Sequence, residues 1–155
     1  MAYTPEKGKF KYNLQSVLKV RQIFEKLQQE KLQQANKAFL EEKQREEQIK
    51  QQELDHQNDL AHTLQGKIDD FSTVLRRHSY LGKLKQDVQK QEQKTIEAEQ
   101  KKEEEREKLT QKMLDRKVIE KDSDNKKDIW RKFMAKEDTK FLDDLSTGKF
   151  TRNKK

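Results

Sequence analysis

Three histidines, His56, His62 and His78, are the first place to look for metal or acid–base chemistry in this chain. They stand six and sixteen residues apart. One helical face presents two imidazoles to a metal only when they are three or four residues apart, so this spacing argues against a metal centre. Carboxylate pairs such as Asp69-Asp70 and Asp143-Asp144 are abundant, but neighbours on a helix point about 100° apart, which makes them solvated surface charge. There is no cysteine, which excludes disulfides and thiolate ligands. The four glycines are isolated, so no phosphate-cradling loop exists. The expectation is a protein that is not an enzyme and carries no cofactor.

The elements available to position side chains explain that poverty. Only 30% of the residues are hydrophobic while 42% are charged, too little apolar material for a core of ordinary size. Lys, Glu, Gln, Leu and Ala dominate, all good helix formers, and residues 14–65 contain neither Gly nor Pro. The class implied is an elongated, all-α protein. No apolar run reaches the ~20 residues that span a bilayer, and the N-terminus has no apolar leader segment, so a soluble intracellular protein is expected.

The net charge of +7 raises the question of nucleic acid. From Phe10 to Gln65 nine basic residues meet nine acidic ones, and from Lys83 to Ser146 18 meet 17. Most of the excess sits in the last nine residues, with Lys149, Arg152, Lys154 and Lys155. A balanced body with a basic tail lacks the basic stripe of a nucleic-acid binder, so no nucleic-acid partner is expected.

Pro5 and Gly8 punctuate a flexible lead over residues 1–12, and Asn13 is a suitable helix N-cap. Val17, Val20, Phe24 and Leu27 then step 3-4-3 along one helical stripe. The stripe continues through Ala35 and Ala38, thins to Ile49 and Leu54, and recovers at Leu60, Leu64, Ile68, Phe71 and Leu75. A second stripe runs Leu81, Leu84, Val88, Gln91, Thr95, Ala98, Lys102, Glu105, Leu109 and Met113, then Trp130, Met134, Glu137, Phe141 and Leu145. The cluster Asp122-Ser-Asp-Asn125 suggests a kink, and Ser146-Thr-Gly148 a helix stop.

These patterns predict a long antiparallel two-helix coiled-coil hairpin: arm 1 over 13–75, a bend over 76–82, arm 2 over 83–147 and a basic tail over 148–155. Ser79 and Gly82 favour that bend, with its exact position open between Gly66 and Gly82, and it sets Leu14–Leu27 opposite Lys132–Leu145. It also predicts a weakly packed polar middle over 42–58, because Lys, Gln and Glu at seam positions bury little. A parallel homodimer is the rival arrangement.

Apolar side chains exceed what one narrow seam consumes. Phe10, Tyr12, Leu14, Val17, Leu18, Trp130, Phe133, Phe141, Leu142 and Phe150 gather near the two termini, and pairs such as Ile23-Phe24 spread round the helix. They either lock the open end of the hairpin or dock into a partner. Phe71, Leu75 and His78, near the bend, carry the same two readings.

The stretch from Lys9 to Arg21 (Lys-Phe-Lys-Tyr-Asn-Leu-Gln-Ser-Val-Leu-Lys-Val-Arg) resembles the opening of the FliJ family of flagellar protein-export components. Val118-Ile-Glu-Lys121, Trp130, Lys136-Glu-Asp-Thr-Lys140 and Leu142-Asp-Asp-Leu145 are similar to the family's other end, although Asp138 and Phe141 depart from its usual polar residues. The resemblance covers nearly the whole chain. It implies a stalk-like coiled coil in the flagellar type III protein-export apparatus, seated by its terminal end in a hexameric export ATPase and reaching a membrane export gate. On that resemblance Phe10, Tyr12, Leu14, Val17, Leu18, Arg21, Trp130, Phe133, Phe141 and Leu145 become candidates for the ATPase contact, and Phe71, Leu75 and His78 for the gate. Export chaperones are further partners it implies. It also implies a monomer when free, placed in the cytoplasm against the inner membrane at the flagellar basal body. A structural homodimeric spacer, or the equivalent stalk of a virulence-type secretion system, is the alternative.

Overall fold

A computed structural model describes the backbone of residues 3–66 and 70–152, and the side chains as far as Gly148. Ile68, Asp69, Phe150 and the basic side chains of the tail, all singled out above, lie outside the described residues. The architecture is all-α, with two helices packed against each other: α1 (Gln15–Gln65, 51 residues) and α2 (Phe71–Arg152, 82 residues). Packing divides the chain into two compact units, Met1–Glu25 with Gln111–Lys155, and Lys26–Thr110.

In the unit formed by Lys26–Thr110 the two helices run antiparallel. Gln28 Nε2 donates to the Glu105 carbonyl (3.2 Å) and Gln91 Nε2 to the Glu42 carbonyl (3.1 Å). Arg77 Nη1 donates to Thr63 Oγ1 (2.8 Å). The covered positions on α1 are Gln28, Leu32, Ala35, Phe39, Glu42, Glu46, Ile49, Glu53, Leu60 and Thr63, the heptad spacing of a coiled-coil seam. On α2 they are Leu81, Leu84, Val88, Gln91, Thr95, Ala98, Lys102, Glu105 and Leu109, the stripe expected from the sequence. Polar occupants are held by specific contacts. The Lys102 ammonium lies 4.0 Å from the Phe39 ring centroid, and Lys50 Nζ bridges Glu46 and Glu92, each at 2.7 Å.

The bend falls after Gln65, at Gly66, the early end of the range that the sequence leaves open, and not over 76–82, which is helical. Asp70 opens α2 as its N-cap: Oδ1 accepts from the Ser72 amide (2.9 Å), and Oδ2 from the hydroxyls of Ser72 (2.9 Å) and Thr73 (2.6 Å). The Thr73 hydroxyl, then Ser72, holds the Asp70 carboxyl down at about 2. A capped start at Asp70 outweighs one glycine at 82, which a helix tolerates at a cost of about 1 kcal/mol. The earlier bend also changes what faces the 42–58 segment. Leu81, Leu84 and Val88, all buried, now stand in the part of α2 opposite it, so the middle of the sequence is not the thin part of the seam.

In the other unit, Arg21 and Glu25 of α1 meet Asp115 and Arg116 of α2, and not Lys132–Leu145. α1 begins at Gln15, whose amide donates to the Tyr12 carbonyl (3.2 Å). The lead, expected to be flexible, is tied to α2: Lys7 Nζ reaches Glu137 (2.7 Å) and Trp130 Nε1 donates to the Glu6 carbonyl (3.2 Å). No break occurs at Asp122–Asn125, because Asp122 is engaged by Tyr12 and Lys126. Nor does α2 stop at Gly148. It continues to Arg152, and the Ser146 and Thr147 hydroxyls fold back to donate to the Asp143 carbonyl (2.9 and 2.7 Å).

Candidate partner-docking surface

Residues 14–25 carry two helical stripes one position out of phase, and only one becomes the seam. Leu18 is buried, Arg21 half-buried and Glu25 buried. Arg21 Nη1 pairs with Asp115 (3.1 Å), while Arg116 is gripped by Glu25 on one side and Glu120 on the other. The hydrogen bonds that the Arg116 guanidinium donates, first to Glu25 and then to Glu120, hold it more firmly in its charged form. The seam here is made of ion pairs with one buried leucine.

The other stripe is the apolar one, and it faces out. Leu14, Val17, Val20, Ile23 and Phe24 are 38 to 57% exposed. The stripe Val17-Val20-Phe24, expected to pack inside the hairpin, is therefore its uncovered side; Leu27, in the other unit, is exposed as well. On α1, Val17, Val20, Ile23 and Phe24 present aliphatic and aromatic side chains outward, with Leu14 just before the helix, while Arg21 and Glu25 turn to the seam, which inverts the usual arrangement of an amphipathic helix at these positions. Such a patch marks an interaction surface.

The aromatic cluster of the same unit has a structural part. Tyr12 is only 8% exposed, and its hydroxyl donates to Asp122 Oδ2 (2.7 Å) and to the Ile119 carbonyl (3.2 Å). Burial, then the Asp122 carboxylate, pushes its phenol up to about 12. Lys126 Nζ sits 5.3 Å from the ring centroid and bonds Asp122 (2.7 Å). Phe10 packs on Trp130 with centroids 6.0 Å apart, and Tyr3 meets the Phe10 ring at 6.5 Å.

The candidate residues thus divide. Tyr12, Leu18 and Arg21 are spent on internal contacts, and Phe10, Trp130 and Phe133 are half-buried. Leu14, Val17, Phe141 and Leu145 are exposed. Near the bend, in the other unit, Phe71, Leu75 and His78 are all exposed. Of the other exposed residues, Ile23 and Phe24 were marked as surplus in the sequence, whereas Val20 was expected only inside the seam. The signal that separates them is the one-residue offset from Leu18, Arg21 and Glu25, whose oppositely charged partners lie on α2.

Among the described residues no group of three or more His, Cys, Asp or Glu is placed to hold a metal. His56 packs edge-on against Tyr80, with centroids 4.8 Å apart. Among the described residues no helix is long and apolar enough to cross a membrane.

A family model described as the flagellar FliJ protein matches residues 10–155. No curated protein and no solved structure matches the chain.

Proposed function

The chain belongs to the FliJ family, flagellar export-related proteins, and from that premise we propose that it is a non-catalytic, stalk-like component that couples the hexameric export ATPase to the membrane export gate. In this reading the exposed apolar stripe of Leu14, Val17, Val20, Ile23 and Phe24 engages the ATPase, together with Phe141 and Leu145. Phe71, Leu75 and His78, exposed near the bend, contact the gate. Export chaperones are additional partners, and the protein works in the cytoplasm against the inner membrane at the basal body. The observation that carries the reading is the inversion on α1: Arg21 and Glu25 are consumed by the protein's own seam while Val17, Val20, Ile23 and Phe24 stay exposed.

The test is ATP turnover by the cognate export ATPase with and without the full-length protein. Stimulation is expected, and Val20→Gln with Phe24→Gln should abolish it at concentrations where the wild type saturates. Val20 and Phe24 are 45 and 46% exposed, so burying what remains of the two contributes about 1.5–3 kcal/mol together, or roughly ten- to a hundredfold in affinity. Unchanged stimulation by that variant would remove the stripe from the contact, and absence of any stimulation would sink the stalk reading.

A further inference from the structure

The lead is held on α2 by contacts of two kinds. Tyr12 is buried, and its hydroxyl bonds Asp122 and the Ile119 carbonyl. Residues 3–10 are held from the surface. Their contacts are the Lys7–Glu137 pair, in which Lys7 is 73% exposed, an exposed hydrogen bond from Trp130 to the Glu6 carbonyl, and the rings of Tyr3 and Phe10 beside Trp130. None of residues 3–10 is buried. Among the described residues no backbone–backbone hydrogen bond ties them to α2. Few buried contacts and solvent-exposed hydrogen bonds put a segment at the low end of local stability, and an exposed ion pair adds little grip.

Nothing on α2 is stranded when residues 3–10 leave it. Glu137 keeps Lys140 (3.2 Å), which is already the second cause, after Lys7, of its lowered carboxyl. The Trp130 indole N–H and the Glu6 carbonyl turn to water. Gly8 shows what the seated lead requires. Its φ of +124° is a conformation that L side chains rarely adopt, and it turns the chain between Lys7 and Phe10, both of which reach α2. A released lead has no need of that turn.

We propose that residues 3–10 form a strap that opens from α2 and closes again while the helices and the Tyr12 clasp stay in place, and that each opening uncovers Phe10 and Trp130 together. Closed, the two rings lie 6.0 Å apart and both are half-buried. Open, they are free in the unit that also carries the α1 stripe. The strap thereby withholds these two aromatics from the ATPase contact when closed and adds them to it when open. That consequence rests on the ATPase reading above, whereas the opening itself does not.

The chain has one tryptophan and no cysteine, so the strap and its target are each addressed singly. The experiment is acrylamide quenching of Trp130 fluorescence in the full-length wild type, in Gly8→Ala, and in Lys7→Cys/Glu137→Cys closed by a cleavable bismaleimide. The methyl of Gly8→Ala meets nothing within 4 Å, so it strains the closed strap through φ alone and should shift the equilibrium towards opening about fivefold. Quenching should be strongest in Gly8→Ala and weakest in the bridged protein, and should recover on cleavage, with far-ultraviolet ellipticity the same in all. Gly8→Ala quenched no more than the bridged protein overturns the proposal, and so does a rise in quenching that comes with lost ellipticity. ATPase stimulation is measured separately. It should need less Gly8→Ala than wild type and fail with the bridged protein until the linker is cut; equal stimulation before and after cleavage overturns the gating. A wild type that never stimulates sinks the stalk reading instead, and the quenching still decides the strap.

Discussion

Tyr12 governs whether the N-terminal lead stays on α2, and Tyr12→Phe isolates its hydroxyl. The ring remains, so the buried apolar contact is kept. The Asp122 carboxylate retains Lys126 at 2.7 Å, and the Ile119 carbonyl remains within the helical bonding of α2. No polar group is stranded, and the cost is that of one hydrogen bond to a charged acceptor, about 1.5 kcal/mol. For a chain of this size that lowers Tm by roughly 3–6 °C. Trp130, the only tryptophan, packs on Phe10 in the same unit, so urea denaturation followed by its fluorescence reports the unit directly. The same hydroxyl sets a pH dependence. Its ionisation is raised from 10 to about 12 in the folded protein, so its contribution is complete below pH 10 and is lost as the pH climbs to about 12. The wild type should lose its margin over Tyr12→Phe across that interval. Equal denaturation midpoints at neutral pH, or a margin that persists unchanged above pH 12, would refute the assignment of this hydrogen bond as the clasp of the lead.

Gly82→Ala should stabilise the protein by about 0.5–1 kcal/mol, because residue 82 is inside α2 and nothing lies within 4 Å of the added methyl; destabilisation in urea would return the bend to 76–82. Asp70→Ala should weaken the start of α2. Because the Asp70 carboxyl is lowered from 3.8 to about 2, its contribution is present above pH 4 and is lost as the pH falls to about 2. The wild type and Asp70→Ala should therefore converge in stability only at the acid end of a titration followed by ellipticity.

Much of the fold is written in plain periodicity. The α2 stripe from Leu81 to Leu109 mixes aliphatics with Gln91, Thr95, Lys102 and Glu105, yet its 3-4 stepping never slips, and the structure covers each of those residues. Two features were harder to read. The bend depended on weighing an isolated glycine against a cap, and the cap at Asp70, built from Ser72 and Thr73, is the stronger local device. On α1, hydrophobicity favoured Val17, Val20, Phe24 and Leu27 as the seam. The hairpin instead uses Leu18 with Arg21, Glu25 and Gln28, and the partners of those three, Asp115, Arg116 and Glu105, lie 77 to 94 residues away in the sequence. A pattern within one helix cannot reveal charges supplied by the other. The docking surface was accordingly half legible: its residues stood out as surplus, but which stripe was surplus depended on that distant complement.

The polar seam has a thermal consequence. Exposing apolar surface raises the heat capacity of unfolding and exposing polar surface lowers it. Seam positions held by Glu25, Gln28, Glu42, Gln91 and Arg116 offset much of what Leu18, Leu81, Leu84 and Val88 contribute. The increment per residue should therefore fall below the usual 12–15 cal/mol/K. Free energy then follows a broad, shallow dome with temperature, and the grip between the helices changes little as the surroundings warm or cool.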